Sequence, residues 1–468
     1  MDHRDGRPVF LSASLVVGLC AAASRLLGFV RDMLIASVFG TGMVADALLV
    51  ALRLPVLLRR TLAEGGGQGA LVPWLVREQA ERGVQEARLS AGGMLLFLVV
   101  AGLCLWGCVI LFPAPLMKFL APGFPPHSAE FDLAARCLVL AFPLVGASFV
   151  TAFATAWFSL RRAYLLAGLS ALLVNGALVW VLVLIGHSGV ADAAQAQWVA
   201  RSLALAGLAQ ALVLVGVVMR QPDGPRLSFS SLSWLRWQRI GDAGRAFLPS
   251  LCVSAAPQLG FLLVLAAATG WPGWSSQLVY AERLVQLPFG FIVAGLSLIA
   301  LPELSLLSSR GQERAFARQL AQALFLGLAL ALPAMLGLVL LAEPIIALLF
   351  GHGAFAAIGT TAAALRMLAL SLPFLVLARV CGQAFFAQHS YVPPLIASFA
   401  GLLAIPCLGP FAGDGADLAL VFTSAMAFES ALMAGFAARK KLFLGWGPMG
   451  PAFLKLLLCN GALLAGLW

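Results

Sequence analysis

The stretch from Ser24 to Leu75 is central to predicting the fold, and it reads SRLLGFVRDMLIASVFGTGMVADALLVALRLPVLLRRTLAEGGGQGALVPWL. It holds five arginines and three acids, although its other residues are mostly apolar. Charged side chains inside membrane-length apolar helices are costly, and by default they mark a transport pathway or a binding cavity. This stretch therefore predicts a charged cavity, with the rest of the chain as the scaffold around it.

The composition predicts a polytopic helical membrane protein. The chain has 468 residues, of which 61% are apolar and 11% are charged, whereas soluble domains carry about a quarter charged residues. Apolar runs long enough to span a bilayer recur from end to end, and we count about 13 of them. An outer-membrane barrel would instead show segments of about ten residues with alternating polarity. The first apolar run lacks a convincing cleavage site, so we expect it to remain as a membrane helix.

The predicted spans suggest a division into two bundles. We place the spans at residues 10–38, 44–62, 90–112, 132–160, 164–186, 197–219, 243–269, 276–304, 316–341, 360–387, 392–411, 417–437 and 449–468. The expected organisation is an N-terminal six-helix lobe (1–220), a cytoplasmic amphipathic linker (221–242), a C-terminal six-helix lobe (243–441) and an extra transmembrane helix (442–468). For the linker, a plain connection with interfacial tryptophans is the alternative.

An internal repeat supports the two lobes. The pattern from Arg136 to Pro143 in the fourth span, RCLVLAFP, recurs from Arg366 to Pro373 in the tenth, as RMLALSLP. A fainter echo at nearly the same offset relates Leu52-Arg53-Leu54-Pro55 to Val285-Gln286-Leu287-Pro288. Spans that lie six apart have the same orientation. The repeat therefore predicts two lobes related by a parallel pseudo-two-fold axis along the membrane normal, a design common among transporters.

The loop charges predict the topology. If the N-terminus is cytoplasmic, Lys118 is the only lysine or arginine in the loops expected outside. The loops expected inside carry clusters of basic residues. These clusters are Arg77, Arg82 and Arg88; Arg161 and Arg162; Arg220, Arg226, Arg236 and Arg239; Arg310, Arg314 and Arg318; and Arg439, Lys440 and Lys441. Basic residues concentrate in cytoplasmic loops. The net charge of +10 therefore indicates topology and contact with anionic lipid headgroups, with no nucleic-acid partner.

The second span carries a one-sided row of charges. Asp46, Arg53 and Arg60 follow one another at intervals of seven residues and so share a helix face, and Glu64 continues the row one turn later. Such a row is a plausible wall for a water-filled cavity or gate. The alternative is an interfacial helix whose arginines extend to the cytoplasmic surface. That alternative is stronger for Arg59 and Arg60 than for the deeper Asp46 and Arg53.

Arginines in two other spans are candidates for the same cavity. In the first span Arg25 and Arg31 flank Gly28, and the alternative role of Arg31 is an ion pair with Asp32 or Asp46 that holds two helices together.

In the eighth span Glu282 and Arg283 lie inside an apolar run, with Gln286 one turn on, and a structural Glu–Arg pair is the alternative. Arg379 is the deepest of the remaining arginines, whereas Arg136, Arg201 and Arg366 lie near outer helix ends. Several guanidinium groups in a confined space suit phosphate or carboxylate groups, which arginine binds through two parallel hydrogen bonds.

The sequence gives no indication of an enzyme. The five histidines are not near clustered acids, the eight cysteines form no CxxC pair, and no Walker-type phosphate loop is present. We therefore expect no catalytic residues, no metal site and no cofactor. Any transport would take its energy from an ion gradient or the membrane potential.

Three stretches resemble the MurJ/MviN family of lipid II flippases, within the multidrug/oligosaccharidyl-lipid/polysaccharide exporter superfamily. They are the opening stretch, Ala121-Pro122-Gly123-Phe124, and YAERLVQLPFGFIVAGLSLIALPELS at 280–305. The resemblance implies two six-helix lobes in a V shape followed by two helices that form a lipid-tail groove. It also implies alternating-access export of undecaprenyl-diphosphate-linked disaccharide-pentapeptide across the bacterial cytoplasmic membrane, for peptidoglycan synthesis. Its implied partners are lipid II and the phospholipid bilayer, and other cell-wall synthesis proteins are further candidates.

The resemblance also implies functional roles for particular residues. The family's functional arginines fall on Arg25, Arg31, Arg59 and Arg283. The substrate-binding set that we favour is Arg25, Arg31, Arg53 and Arg283, and the gate or charged cavity comprises Asp46, Arg59, Arg60, Glu64 and Glu282. The chain departs from the family in having about 13 spans instead of the usual fourteen or so. It also has Gln286 where an acid is common, and it lacks Asp and Asn in the eleventh span. No sodium ligands are therefore predicted.

Two other functions stay open from the residues. A drug or cation exporter of the same superfamily should have an acidic and aromatic cavity, whereas the cavity predicted here is basic. A non-transporting scaffold that recruits cell-wall enzymes would tolerate the loss of the cavity charges.

Overall fold

The predicted all-α fold is confirmed. The computed structural model describes residues 7–62, 67–161, 163–186, 193–227, 237–442, 451, 455–456 and 459–460. Within these ranges the regular elements are sixteen α-helices and one turn of 3-10 helix at Gly409–Phe411. The chain forms two compact units, Met1–Leu251 and Cys252–Trp468, and the boundary between them falls within a helix. Each unit is described by itself below.

The first unit contains eight complete helices. They are α1 (Arg7–Phe39), α2 (Met43–Thr61), α3 (Gly67–Leu111), α4 (Pro113–Leu120), α5 (Ala129–Ala141), α6 (Pro143–Leu160), α7 (Tyr164–Gly186) and α8 (Ala193–Met219). The unit boundary lies within α9 (Trp237–Ala268).

The second unit holds the remaining seven helices. They are α10 (Trp274–Ser309), α11 (Glu313–Leu340), α12 (Ala342–Phe350), α13 (Ile358–Ala369), α14 (Leu372–Ala387), α15 (Val392–Leu408) and α16 (Gly415–Arg439).

The predicted spans correspond to the observed helices. Ten segments of the described chain are long and apolar enough to cross a bilayer. They are Gly83–Leu111, Ala129–Leu160, Gly168–Gly186, Ala193–Met219, Leu251–Ala268, Trp274–Leu296, Glu313–Leu340, Ile358–Ala387, Val392–Phe411 and Gly415–Arg439, and they match the third to twelfth predicted spans in order. Helices α1 and α2 lie at the first and second. Of the thirteenth predicted span, 449–468, the structure describes only residues 451, 455–456 and 459–460, and residues 228–236 of the predicted linker lie outside the described residues.

The sequence repeat coincides with a repeated helix break. In the fourth span the helix is interrupted at Phe142 and resumes as α6 with Pro143 in its first turn. In the tenth span it is interrupted at Leu370 and Ser371 and resumes as α14, which has Pro373 in its first turn. Proline has no N–H to donate and its ring clashes with the preceding turn, so it fits best at a helix start. The two copies of the Arg-to-Pro motif therefore encode the same break.

The order of elements repeats as well. In the first unit α5 packs against α2 and α8, and α6 packs against α3 and α8. In the second unit α13 packs against α10 and α16, and α14 packs against α11 and α16. Each copy also places a short helix, α4 or α12, before the broken span. The predicted internal repeat is thus present in both sequence and contacts.

Small residues allow close packing in the first unit. Gly102 on α3 faces Gly146 on α6, and a Cβ built on Gly102 would lie 2.6 Å from the Cα of Gly146. Membrane helices have no hydrophobic driving force between them, so close backbone approach at small residues is a main source of their association. Nearer the predicted cytoplasmic end of the same two helices, Trp74, Phe153 and Trp157 belong to a buried apolar cluster.

Three connections differ from the prediction. Arg77 and Arg88, which we expected in an inner loop, lie on α3, because this helix begins at Gly67 and is only kinked at Gly83, where φ is 74°. Two of the connections expected as outer loops contain the short helices α4 and α12. The two short helices are eight and nine residues long, and each contains one charged residue, Lys118 or Glu343. They are too short to span a bilayer.

Candidate functional site

Arg31 on α1 is held by side chains from its own helix and from α7. Its Nε and Nη2 donate to Asp32 Oδ1 at 2.9 and 2.6 Å, and its Nη1 donates to Asn175 Oδ1 at 3.1 Å. The amide of Asn175 also donates to the backbone oxygen of Ser24, at 3.1 Å. The side chains of Arg31 and Asp32 are only 12% and 10% exposed. The Arg31–Asp32 ion pair that the sequence allowed is therefore present.

Asn175 is a site residue that our sequence analysis missed. It is buried, and it lies within the otherwise almost wholly apolar helix α7. Gly28 lies against it, since a Cβ built on Gly28 would be 3.6 Å from the amide nitrogen. The signal that could have found Asn175 is the amide itself, because a buried polar group in a membrane helix needs a specific partner.

The charges of α2 divide into buried and half-exposed members. Asp46 and Arg53 are only 3% and 5% exposed, whereas Arg59 and Arg60 are of intermediate exposure. Asp46 lies in the first turn of the helix and the two later arginines lie in its last turn, positions that also suit the helix dipole. Glu64 lies outside the described residues.

The other first-span candidate, Arg25, is exposed. It lies six residues before Arg31, and the two arginines therefore point away from different sides of α1. Arg31 is mostly buried and donates to Asn175, whereas Arg25 is exposed. A ligand bound by both would have to reach from the exposed guanidinium of Arg25 to the mostly buried guanidinium of Arg31.

In the second unit, Glu282 on α10 is buried and accepts a hydrogen bond from Gln286 Nε2. Arg283 beside it is partly buried. Glu282 and Gln286 line a small cavity, together with Gln258 from α9. The amide at position 286, where the resembling family often has an acid, thus supplies a donor to the neighbouring carboxylate.

Arg379 on α14 lines a larger adjoining cavity. Its Nη1 donates to Ser254 Oγ at 3.2 Å. The same cavity is lined by Gln258 and by Glu429 on α16. Glu429 is buried and is a second polar group that our sequence analysis missed, although a lone carboxyl inside the twelfth apolar span was a visible signal.

The less specific arginines lie at exposed positions. Arg201 is exposed, and its guanidinium carbon lies 5.4 Å from the centre of the Trp198 ring. Arg366 Nη2 lies 3.7 Å from Glu343 Oε2, and the two side chains are 40% and 62% exposed. An exposed pair of this kind contributes little to stability.

Each unit thus presents its own arginines beside carboxylates or amides. Guanidinium groups match phosphate and carboxylate geometry and cannot lose their charge at physiological pH. The described residues include no group of three or more His, Cys, Asp or Glu side chains that could hold a metal ion. The chemistry that both sets support is binding of an anion.

A model of a protein family described as "Lipid II flippase MurJ" matches residues 35–458. Arg53, Arg59 and Arg283 fall within that range, and Arg25 and Arg31 precede it. A relative described as probable lipid II flippase MurJ, from Rhizobium meliloti strain 1021, is 30% identical over 394 residues, which cover 82% of this chain and 72% of the relative. The lipid II flippase MurJ of Burkholderia cenocepacia is 26% identical over 388 residues, covering 82% and 74%.

Solved structures share the fold. A structure described as "Lipid II flippase MurJ, inward closed conformation" matches with a TM-score of 0.77 at 20% identity, covering 97% of this chain and 93% of that one. An inward-facing multidrug transporter of the MATE family matches with a TM-score of 0.68 at 17% identity, covering 92% and 95%. Both matches extend over nearly the whole chain.

Proposed function

Since the chain belongs to the lipid II flippase MurJ family, we propose that it moves lipid II from the inner to the outer leaflet of the bacterial cytoplasmic membrane. Family membership is the observation that carries this proposal. The multi-pass helical fold supports it, and so do the arginine sets. In this proposal lipid II and the bilayer are the partners, and other cell-wall synthesis proteins are candidates for further contacts.

The diphosphate of the substrate would be bound by Arg25, Arg31, Arg53 and Arg283. A diphosphate offers several oxygens at short spacing, and arginine can bind two of them through parallel N–H groups. Arg31 has the support of Asn175, which fixes one of its terminal nitrogens from a different helix. Fixing the guanidinium before the ligand arrives reduces the entropy lost on binding.

Asp32 has a defined role in this scheme. Without substrate it neutralises Arg31, because a poorly solvated cation without a counter-charge is strongly unfavourable. A diphosphate that enters the site would compete with Asp32 for Arg31 Nε and Nη2. Release of the substrate would allow the Arg31–Asp32 pair to form again, so the site would be reset after each transport cycle.

The gate or charged cavity would comprise Asp46, Arg59, Arg60, Glu64 and Glu282, with Arg53 of the binding set beside them on α2. Asp46 and Arg53 are buried on one helix face, and Arg59 and Arg60 lie in the last turn. We assign Arg59, Arg60 and Glu64 to its cytoplasmic end, with the N-terminus of the chain in the cytoplasm. The supporting observation is the concentration of arginines in the alternate loops. Alternating access of two repeated bundles would then carry the headgroup across.

Complementation of a lipid II flippase depletion tests the function. The full chain should restore growth and prevent accumulation of inner-leaflet lipid II. Arg283→Ala should fail to restore growth while the protein still accumulates in the membrane. Arg314→Ala is the matched control, because Arg314 is an exposed arginine on α11 in the same unit, and this variant should support growth.

Two outcomes would overturn the proposal. If the unaltered chain accumulates in the membrane without lowering inner-leaflet lipid II, the flippase function is wrong. If Arg283→Ala supports normal growth and normal lipid II levels, the role assigned to Arg283 is wrong even though the function stands. A deletion strain that loses drug resistance without accumulating lipid II would favour a drug exporter.

A further inference from the structure

An open apolar groove runs between α10 and α11 in the second unit. Phe291 lines it from α10, and Leu326 and Leu330 line it from α11. These three side chains are 51%, 50% and 50% exposed, so one side of the groove is open. Both helices include a segment that can span the bilayer, whose core is hydrocarbon. A hydrocarbon chain can therefore enter the groove from that side.

The shape of the groove follows from two residues of α10. Pro288 lies inside this helix and lines the groove, and a proline ring clashes with the preceding turn and bends the helix. A Cβ built on Gly295 would meet nothing within 4 Å, so there is space beside it. Behind the groove the two helices are in close contact, because a Cβ built on Gly327 of α11 would lie 3.0 Å from Leu296 Cδ1. The groove thus has a closed back and an open front.

The length of the groove suits a lipid chain. Gln319 and Ala334 line its two ends on α11, and they lie about four turns, or about 22 Å, apart along the helix. The hydrocarbon core of a bilayer is about 30 Å thick, so one leaflet contributes about 15 Å. An extended acyl chain of a lipid in one leaflet can therefore lie along the groove.

The polar end of the groove has charges of both signs at its mouth. Gln319 and Gln322 line this end, and Gln319 Nε2 donates to Glu303 Oε2 on α10 at 2.7 Å, which places Glu303 level with Gln319. Arg318 lies within about 1.5 Å of the same level along α11, and Gln322, one turn later, shares its helix face. Glu303 and Arg318 are both exposed, so a carboxylate and a guanidinium are available to a ligand there.

The depth of this end suits a lipid headgroup. Arg318 belongs to one of the basic clusters that the loop charges predict to be cytoplasmic, and basic sites between membrane helices on that side bind lipid headgroups. We propose that the groove is a binding site for phosphatidylethanolamine of the inner leaflet. One acyl chain lies in the groove, Arg318 binds the phosphate, and Glu303 accepts hydrogen bonds from the ammonium group. This site does not depend on the proposed flippase function.

Phosphatidylethanolamine matches the two charges better than other phospholipids do. Its phosphate can accept hydrogen bonds from a guanidinium, and its primary ammonium group has N–H groups that can donate to a carboxylate. Phosphatidylcholine carries a quaternary ammonium group, which has no N–H to donate. Phosphatidylglycerol has no cationic group, and its negative charge would be repelled by Glu303. Two opposite charges on the protein therefore fit two opposite charges on one headgroup.

Native mass spectrometry on the purified full chain tests the headgroup preference. The chain should bind phosphatidylethanolamine about tenfold or more tightly than phosphatidylcholine or phosphatidylglycerol with the same acyl chains. Phosphatidylethanolamine with a photoactivatable group in its acyl chain then tests the location. Its crosslinks should map to the parts of α10 and α11 around Phe291 and Leu330.

Substitutions at three residues test the individual contacts. Arg318→Gln should weaken phosphatidylethanolamine binding about tenfold, because the phosphate loses its cationic partner. Glu303→Gln should lower the affinity for phosphatidylethanolamine to that for phosphatidylcholine, because the carboxylate that recognises the ammonium group is gone. Gly295→Phe should abolish the crosslinks, since the ring would fill the groove at a position where a side chain meets no neighbour.

Two substitutions on α16, which does not line the groove, are matched controls. Arg439 is an exposed arginine in the last turn of this helix. Gly435 is an exposed glycine at which a Cβ would meet nothing within 4 Å. Arg439→Gln and Gly435→Phe should bind phosphatidylethanolamine as the unaltered chain does.

Three results would overturn the proposal. Equal affinity for the three headgroups would show that the groove has only the ordinary contact of a membrane protein with bulk lipid. Tighter binding of phosphatidylglycerol would show an anionic-lipid site in which Glu303 has no part. Crosslinks that map outside α10 and α11 would place the bound lipid elsewhere, even if its binding is selective.

Discussion

Asn175 Oδ1 on α7 accepts a hydrogen bond from Arg31 Nη1 on α1 at 3.1 Å. These two helices pack against each other along the first unit, and the same amide also bonds the backbone oxygen of Ser24. One side chain thus fixes both the helix packing and the direction of a candidate diphosphate-binding arginine. The consequence is that packing and binding should fail together when this amide is removed.

Asn175→Leu should therefore lower both stability and transport. The variant leaves a guanidinium nitrogen and the Ser24 carbonyl without their partner, and a lost hydrogen bond to a charged group costs about 1.5–3 kcal/mol. Thermal unfolding in detergent should show the lower stability, and complementation should be weaker. Ser202→Ala is the control, since this serine is of intermediate exposure and donates a hydrogen bond to the carbonyl of Trp198 on its own helix. Unchanged stability of Asn175→Leu would contradict the assigned contact.

The sequence was sufficient to predict the helices that face lipid, because the bilayer requires long apolar runs whatever the tertiary structure. The two helix breaks were not predicted, although Pro143 and Pro373, which act locally on their own turns, were visible in the repeated motif. The start of α3 was missed for a different reason. Residues 67–82 carry several charges, and charge argues against a membrane span but not against a helix at its surface.

The contacts between helices could not be predicted from the sequence. Asp32 and Asp46 were equally good partners for Arg31 by spacing, and only the fold shows that Asp32 accepts its hydrogen bonds. Asn175 and Glu429 were missed because a single polar residue in an apolar helix gives no indication of what it faces. Their partners, Arg31 and Ser398, lie on other helices. The roles of the candidate site residues remain predictions for the same reason.

Arg283→Lys distinguishes a phosphate-binding fork from a simple positive charge. Lysine keeps the positive charge but carries it on a compact ammonium group. It therefore cannot make the two parallel hydrogen bonds to one diphosphate that a planar guanidinium makes. We expect lipid II translocation to fall about tenfold or more, which corresponds to about 1.4 kcal/mol. Proteoliposome assays with increasing lipid II would measure the effect. Arg314→Lys should translocate normally, and equal activity of Arg283→Lys would show that charge alone suffices.

The two ends of α2 should respond differently to alanine. Arg53 is only 5% exposed, and removing one member of a buried set of charges typically costs about 3–5 kcal/mol. Arg60 is of intermediate exposure and lies in the last turn. Arg53→Ala should therefore reduce the amount of folded protein in the membrane, whereas Arg60→Ala should leave that amount unchanged. Quantitative membrane blots and size-exclusion profiles would measure the amount of folded protein for both variants. Equal amounts would show that burial of Arg53 does not contribute to stability.

The contact of α3 with α6 can be tested with two glycines on one helix. A Cβ on Gly102 would lie 2.6 Å from the Cα of Gly146, whereas a Cβ on Gly107 would meet nothing within 4 Å. Gly102→Leu must therefore separate the two backbones, and overpacking of this kind costs about 1–3 kcal/mol. Gly107→Leu adds the same side chain to the same helix without that clash. Thermal unfolding in detergent should show a lower midpoint for Gly102→Leu alone. Equal midpoints would mean that close approach of the backbones at Gly102 does not determine how this pair of helices packs.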